Sequence, residues 1–354
     1  VLFSASAPRT RAVTRLAVTT AVIGALGLLG ACGKDQASTS SSASPSSTAA
    51  PSSASPSASA TPSASPTPTI KPSTNLDKVE VTGAYGKTPK VTFKHPFAID
   101  KTQTKVLSQG SGATVTDTAN VSVNYVGIDG RTGKTFDSSF ARGGTPITFP
   151  LAQVIQGFKK GLVGQKQGSR VLIAMTGADG YDSSGGNAQA GINVGDTLLF
   201  VVDITETTLN APAGQTITPT RSDLPTVTGG TGTPTVTIPK TNPPSGLVVQ
   251  PLIKGTGTKV KAGDTVTVRY TWLTWSNGKV IESNYGQAPQ DAALTSQIQG
   301  WQKGLPGQTV GSRVLLVVPP SEGYPNGNAS PEIAKNETLV FVVDILFTQA
   351  PQAQ

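Results

Sequence analysis

The chain is 354 residues long, carries a formal net charge of +8, and contains a single histidine and a single cysteine. Those counts exclude histidine-based catalytic triads, histidine-rich metal sites and intrachain disulfides, and no cofactor or metal is expected. Three of the positive charges fall on Arg9, Arg11 and Arg15, and the other Lys and Arg are interspersed with Asp and Glu. The clustered basic face that binds nucleic acid is therefore missing.

In chain order, the first element reads as an export signal over residues 1–31. The three arginines supply its positive end, and Leu16 to Leu29 is apolar or small, too short for a membrane span but suited to a signal. It closes on Leu29-Gly30-Ala31-Cys32, which resembles the lipobox of bacterial lipoproteins. The resemblance implies cleavage before Cys32 and lipidation of Cys32. The mature protein would then be lipid-anchored on the extracytoplasmic face of the cell membrane. The alternative, an ordinary cleaved signal with an incidental cysteine, leaves a lone thiol in an exported protein unexplained.

Residues 32–75 read as a tether. From Lys34 to about Thr74 the chain is almost entirely Ser, Ala, Pro and Thr, which cannot bury enough apolar surface to offset ordering. As a flexible coil it spans roughly 35 Å. No later segment is apolar for long enough to cross a bilayer.

The remainder contains one domain twice. Gly157-Phe158-Lys159-Lys160-Gly161-Leu162 recurs as Gly300-Trp301-Gln302-Lys303-Gly304-Leu305, and Gly168-Ser169-Arg170-Val171-Leu172 as Gly311-Ser312-Arg313-Val314-Leu315. Phe200-Val201-Val202-Asp203-Ile204 returns as Phe341-Val342-Val343-Asp344-Ile345. A period near 140 residues means whole domains rather than solenoid units. They are placed at 90–208 and 246–349, with residues 209–245, rich in Thr, Pro and Gly, as a linker.

Within each copy, Val121, Val123 and Tyr125, and later Val171, Ile173 and Met175, alternate with other residues at the period of a strand; Val266, Val268 and Tyr270 do the same. The runs around Phe200 and Phe341 are nearly continuous and apolar, which predicts central strands covered on both faces. Val154, Ile155, Phe158 and Leu162, like Leu294, Ile298, Trp301 and Leu305, recur at helical spacing. The predicted class is α+β, with a twisted antiparallel sheet wrapped on one short helix in each domain.

Five pieces of the first domain then fall in register with a known family. Tyr125-Val126-Gly127, Gly133-Lys134-Thr135-Phe136-Asp137-Ser138-Ser139, Val154-Ile155-Gln156-Gly157-Phe158, Gly180-Tyr181 and the Phe200 strand resemble FKBP-type peptidyl-prolyl isomerases. The resemblance implies a half-barrel over the helix, with an apolar pocket that takes proline from polypeptide substrates. Carried over, the catalytic set is Tyr125, Phe136, Asp137, Tyr181 and Phe200, and the substrate walls are Ile147, Val154, Ile155, Phe158 and Ile192. Phe158 stands where the family usually has Trp.

The second domain matches with Tyr270, Ile298, Trp301, Tyr324, Ile333 and Phe341. It departs where Phe-Asp becomes Ile281-Glu282 and where Gln290 stands at the position of Ile147. A more polar pocket there implies weak catalysis, or binding without turnover. The whole is expected to act as a monomer assisting the folding of exported proteins. The competing reading is a non-catalytic, surface-tethered chaperone with two peptide sites on one tether.

Overall fold

The computed structural model describes residues 70–351. The expected signal, Cys32 and most of the tether fall outside that range. Among the described residues, no helix is long and apolar enough to cross a membrane.

The first domain has eight strands and one helix. In order they are β1 (Glu80–Thr82), β2 (Lys90–Thr92), β3 (Gln103–Ser108), β4 (Asn120–Asp129), β5 (Thr135–Ser138), β6 (Ile147–Pro150), α1 (Gln156–Leu162), β7 (Arg170–Met175) and β8 (Leu198–Thr207). The main sheet runs β3-β7-β8-β4-β5, β6 pairs with the start of β4, and every pairing is antiparallel. The second domain repeats this plan. It comprises β9 (Gly214–Thr216), β10 (Thr226–Thr228), β11 (Thr235–Thr237), β12 (Val248–Gly255), β13 (Thr265–Thr274), β14 (Val280–Ser283), β15 (Gln290–Ala293), α2 (Gln299–Gly304), β16 (Arg313–Val318), β17 (Asn328–Ala329), β18 (Glu332–Ile333) and β19 (Leu339–Gln349). Its sheet runs β14-β13-β19-β16-β12-β9, with β15 on β13.

Strand alternation divides the apolar residues between two cores. Val121, Val123 and Tyr125 of β4 join Val171, Ile173 and Met175 of β7 and Phe200, Val202 and Ile204 of β8 around the helix. The intervening residues Val126, Ile128, Leu172, Ala174, Leu199 and Val201 form a second core on the outer face with Leu76, Val79, Phe97 and Ile99. The apolar run of β8 is continuous because both faces are buried.

The helices are shorter than the periodicity implied. Val154 and Ile155 lie before α1 in extended backbone, and Leu294 belongs to a separate 3₁₀ turn before α2. Gly157 and Gly161 explain the close seat of α1 on the sheet. A Cβ there would stand 2.5 Å from the Met175 sulfur and 2.4 Å from Ile173. Gly300 and Gly304 repeat the arrangement against Val318 and Leu316.

Two boundaries need correction. The expected tether runs to residue 75, yet Ser73 already bridges to Ile99 and Leu76 is buried. More importantly, 209–245 is no simple linker: β9 joins the second sheet, and β10–β11 form a hairpin over its outer face. There Leu224, Val227, Val236 and Ile238 pack on Leu315, Val317, Val340 and Val342. This hairpin is the counterpart of β1–β2. The sequences agree, Val81-Thr82-Gly83 with Thr88-Pro89 and Val91-Thr92 against Val227-Thr228-Gly229 with Thr233-Pro234 and Val236-Thr237. Turn-forming Gly and Pro dominate these segments and mask two short strands whose apolar partners are distant in sequence.

Each hairpin is held by a buried ion pair. Arg170 bonds both oxygens of Asp203 at 2.6 and 2.7 Å, and donates to the carbonyls of Gly83 and Lys87 at 2.8 and 2.6 Å. Arg313 bonds Asp344 at 2.6 and 2.8 Å, and donates to the carbonyls of Gly230 and Gly232. The four charged side chains are no more than 2% exposed. Bidentate geometry and the extra carbonyls satisfy the guanidinium, which makes such burial tolerable.

Candidate functional site

In the first domain the expected residues gather on the inner core, between the sheet and the chain entering α1. Phe200 stands at the centre of the cluster. The rings of Phe158, Phe136 and Tyr125 meet it at 4.7, 5.5 and 6.0 Å, tilted or edge-on, a favoured aromatic geometry. Ile192 and Phe158 are buried, whereas Phe136, Ile147, Val154, Ile155 and Tyr181 are partly buried against the same cluster. These nine residues were all expected here, and the fold brings them together.

The backbone explains the position of Ile155. It precedes the helix, and its carbonyl accepts the N–H groups of Phe158 and Lys159. Its own N–H makes no hydrogen bond within the described residues, so it remains a donor at the pocket edge.

Asp137, the tenth residue, forms the polar rim. The Tyr125 hydroxyl donates to Oδ2 at 2.5 Å, and the Ser138 N–H donates to Oδ1 at 2.8 Å. Arg142 pairs with Oδ1 and also reaches the Tyr125 hydroxyl at 3.4 Å. It rides on a 3₁₀ turn, Phe140–Arg142, closed by Gly143 in the left-handed region. The Asp137 side chain is 8% exposed and Arg142 is 52% exposed. A nearly buried carboxylate thus has its charge compensated at the mouth. Burial, and secondarily the Asp137 hydrogen bond, push the Tyr125 hydroxyl well above the ordinary tyrosine range. Burial also raises Tyr181 to about 12, with the Asp137 charge adding to it. The Tyr181 hydroxyl makes no hydrogen bond within the described residues and stays a neutral donor beside the cluster.

The second domain gathers its eight expected residues in the same way. Trp301, Ile333 and Phe341 are buried; Tyr270, Ile281, Ile298 and Tyr324 pack against them; and Glu282 accepts the Tyr270 hydroxyl at 2.9 Å. Register confirms the match of Gln290 to Ile147, since Val268 pairs with Gln290 as Val123 pairs with Ile147. Gln290 also accepts from the Tyr270 hydroxyl, at 3.2 Å. The cavity encloses about 300 Å³. Trp301 regains an indole N–H, but that group is buried without a partner.

The geometry permits comparison with known proteins. The model of the FKBP-type peptidyl-prolyl cis-trans isomerase family matches residues 112–205 and again 256–346. The chain belongs to this family. It is 32% identical over 117 residues to an FK506-binding protein of Streptomyces anulatus, covering 32% of this chain and 94% of that one. It is 38% identical over 110 residues to the peptidyl-prolyl cis-trans isomerase FKBP53 of Arabidopsis thaliana, covering 30% of this chain but spanning only 23% of the plant protein. The crystal structure of FkpA from Escherichia coli is 32% identical over 30% of this chain and 47% of that one, with a TM-score of 0.28. Each of these alignments has the extent of one of the two FKBP domains.

Two features of these FKBP domains escape the motif comparison. One is Arg142, an exposed arginine with no motif of its own. The other is a substitution inside the motif. Gly127 pairs with Phe200 on β8 and Asp137 on β5, and Trp272 pairs with Phe341 and Glu282 in the same registers. Setting Tyr125-Val126-Gly127 beside Tyr270-Thr271-Trp272 would have revealed it.

Proposed function

We propose that the first domain catalyses cis–trans isomerisation of X–Pro bonds in polypeptides, and that the second binds polypeptide with weak turnover or none. The observation that carries the first half is a largely buried aromatic cluster whose adjoining carboxylate is already compensated. Rotation about X–Pro faces a barrier of about 18–20 kcal/mol because the planar amide is resonance-stabilised. Resonance charges the carbonyl oxygen, and the twisted amide loses most of that charge. Walls that exclude water therefore disfavour the planar form relative to the twisted one. About 1.4 kcal/mol of such difference gives tenfold in rate. Phe136, Ile147, Val154, Phe158, Ile192 and Phe200 supply the walls. Tyr181 donates to one substrate carbonyl and the Ile155 N–H to the next. Asp137, fixed by Tyr125 and Arg142, positions the rim.

The observation that favours binding over turnover in the second domain is its rim of Glu282 and Gln290, which keeps water and charge beside the amide. The test of both halves is exchange NMR on an Ala-Leu-Pro-Phe peptide with the full chain. Tyr181→Phe with Asp137→Ala is expected to remove most of the acceleration, and Tyr324→Phe with Glu282→Ala to leave it. Unchanged exchange in the first double variant would refute the assignment.

We also propose that Cys32 carries lipid and holds the chain on the extracytoplasmic face of the membrane, where it assists the folding of exported proteins. Unaided X–Pro isomerisation takes tens to hundreds of seconds. Cys32→Ala is expected to release the protein from the membrane fraction and abolish labelling by an alkynyl fatty acid. Retention of both label and membrane would rule the anchor out.

A further inference from the structure

The second pocket has been rebuilt around a different side chain. A Cβ on Gly127 would stand 2.7 Å from Phe136 and 2.8 Å from Phe200, so the first domain admits no side chain there. In the second domain Phe136 is replaced by the smaller Ile281, and Trp272 fills the space from the neighbouring strand. Its ring lies parallel to Phe341, at 5.3 Å and 7°. Trp301 meets Phe341 edge-on at 5.8 Å, and Tyr270 meets Trp301 at the same distance. Two of the rings in this wall are indoles, where the first domain has only phenyl and phenol rings.

The rim has changed in the complementary sense. Asp137 is compensated by Arg142, but the stretch bearing that arginine is shortened in the second domain. Ten positions separate Asp137 from Ile147, and eight separate Glu282 from Gln290. Among the described residues no Lys or Arg pairs with Glu282 or Asp291. Their partners are neutral: Tyr270 and the Trp272 indole N–H for Glu282, Thr267 and the Asn120 amide for Asp291. Glu282 is exposed and lines the cavity, whereas Asp291 pairs with Thr267 and turns its carboxylate to the opposite face of the strand.

An uncompensated carboxylate, that of Glu282, at the mouth of an aromatic cavity offers little to an uncharged proline. A cation gains twice, from the ring faces and from the carboxylate. We propose that the second-domain pocket recognises the cationic side chain of a lysine or arginine in its polypeptide ligand. The proposal rests on the reading that this domain is a polypeptide-binding site, and it makes the two domains readers of different residues in one client.

The tryptophans provide a selective probe. All three, Trp272, Trp275 and Trp301, lie in the second domain, so the tryptophan fluorescence of the full chain reports on that domain alone. The chain is titrated with acetyl-Gly-Lys-Gly-amide, its arginine and norleucine analogues, and acetyl-Gly-Pro-Gly-amide, with binding also followed by amide chemical shifts. The lysine and arginine peptides are expected to saturate at least tenfold tighter than the norleucine and proline peptides, and to weaken severalfold in 0.5 M NaCl. Glu282→Gln is expected to weaken them without moving the melting temperature. Equal affinity for norleucine, tighter affinity for proline, or lysine affinity unchanged in that variant would overturn cation recognition while leaving polypeptide binding intact. No saturable response to any peptide by either readout would overturn both.

Discussion

The two pockets share a backbone and differ in how they treat charge. In the first, Asp137 sits under Arg142 and a glycine leaves room for Phe136 against Phe200. In the second, the arginine is gone, the glycine is a tryptophan and the rim carboxylate faces neutral donors. The difference teaches that a repeat can keep its fold while the shape and charge of its site change. Sheet and helix positions are set by residues facing the cores, which both copies retain. Pocket chemistry is set by a few side chains at the rim.

The largest expected effect bears on what the copies share. Arg170→Met leaves Asp203 buried without its counter-charge and is expected to cost about 3–5 kcal/mol in the first domain. Arg313→Met should do the same in the second. Calorimetry detects both, whereas tryptophan fluorescence should report the main unfolding shift only for Arg313→Met. Loss below 1 kcal/mol in either would mean that the hairpin clamps are dispensable.

Next comes the residue that divides the pockets. Gly127→Ala adds one methyl where no space exists, and overpacking costs about 1–3 kcal/mol. Isomerase kcat/KM is expected to fall at least tenfold in exchange NMR as Phe136 and Phe200 are forced apart. Wild-type kinetics would show that the Gly127/Trp272 exchange does not govern the pocket. Arg142→Ala should have a smaller effect, a three- to tenfold loss of kcat/KM for neutral proline peptides with a relative gain for peptides bearing lysine beside proline. An identical loss for both peptides would remove charge compensation from the account.

The last prediction is of constancy. An ordinary tyrosine, with a value near 10, is half ionised at pH 10. Tyr181, raised to about 12 by burial and then by Asp137, keeps its proton there, because a raised value preserves the neutral form to higher pH. The rate is therefore expected to stay flat from pH 6 to 10. Loss of half the activity by pH 10 would show that Tyr181 is not the donor, or is not shielded.

The sheet strands and the pocket residues were legible because strand alternation and motif spacing are local signals. Val121, Val123 and Tyr125 announce a strand without reference to anything distant. The outer hairpins were not legible from local pattern. Thr226–Thr228 and Thr235–Thr237 each offer only one apolar residue, and their partners Leu315 and Val340 lie about 80 to 110 positions away. Helix extent was misread because Val154 and Leu294 face the core from extended or 3₁₀ backbone, which mimics helical spacing. Arg142 belongs to no pattern at all, since only the fold brings it to Asp137.

The buried clamps also constrain the order of folding. In each domain the arginine precedes the aspartate by about 30 residues, and the aspartate lies on the last strand. The same strand pairs with β4 or β13, roughly 80 residues earlier. Until it is available, the arginine has no counter-charge to enter the interior, the hairpin has no anchor and the central ladder has a gap. Each domain should therefore close late and cooperatively, with the slow kinetics of non-local pairing, and its last ten residues act as the latch.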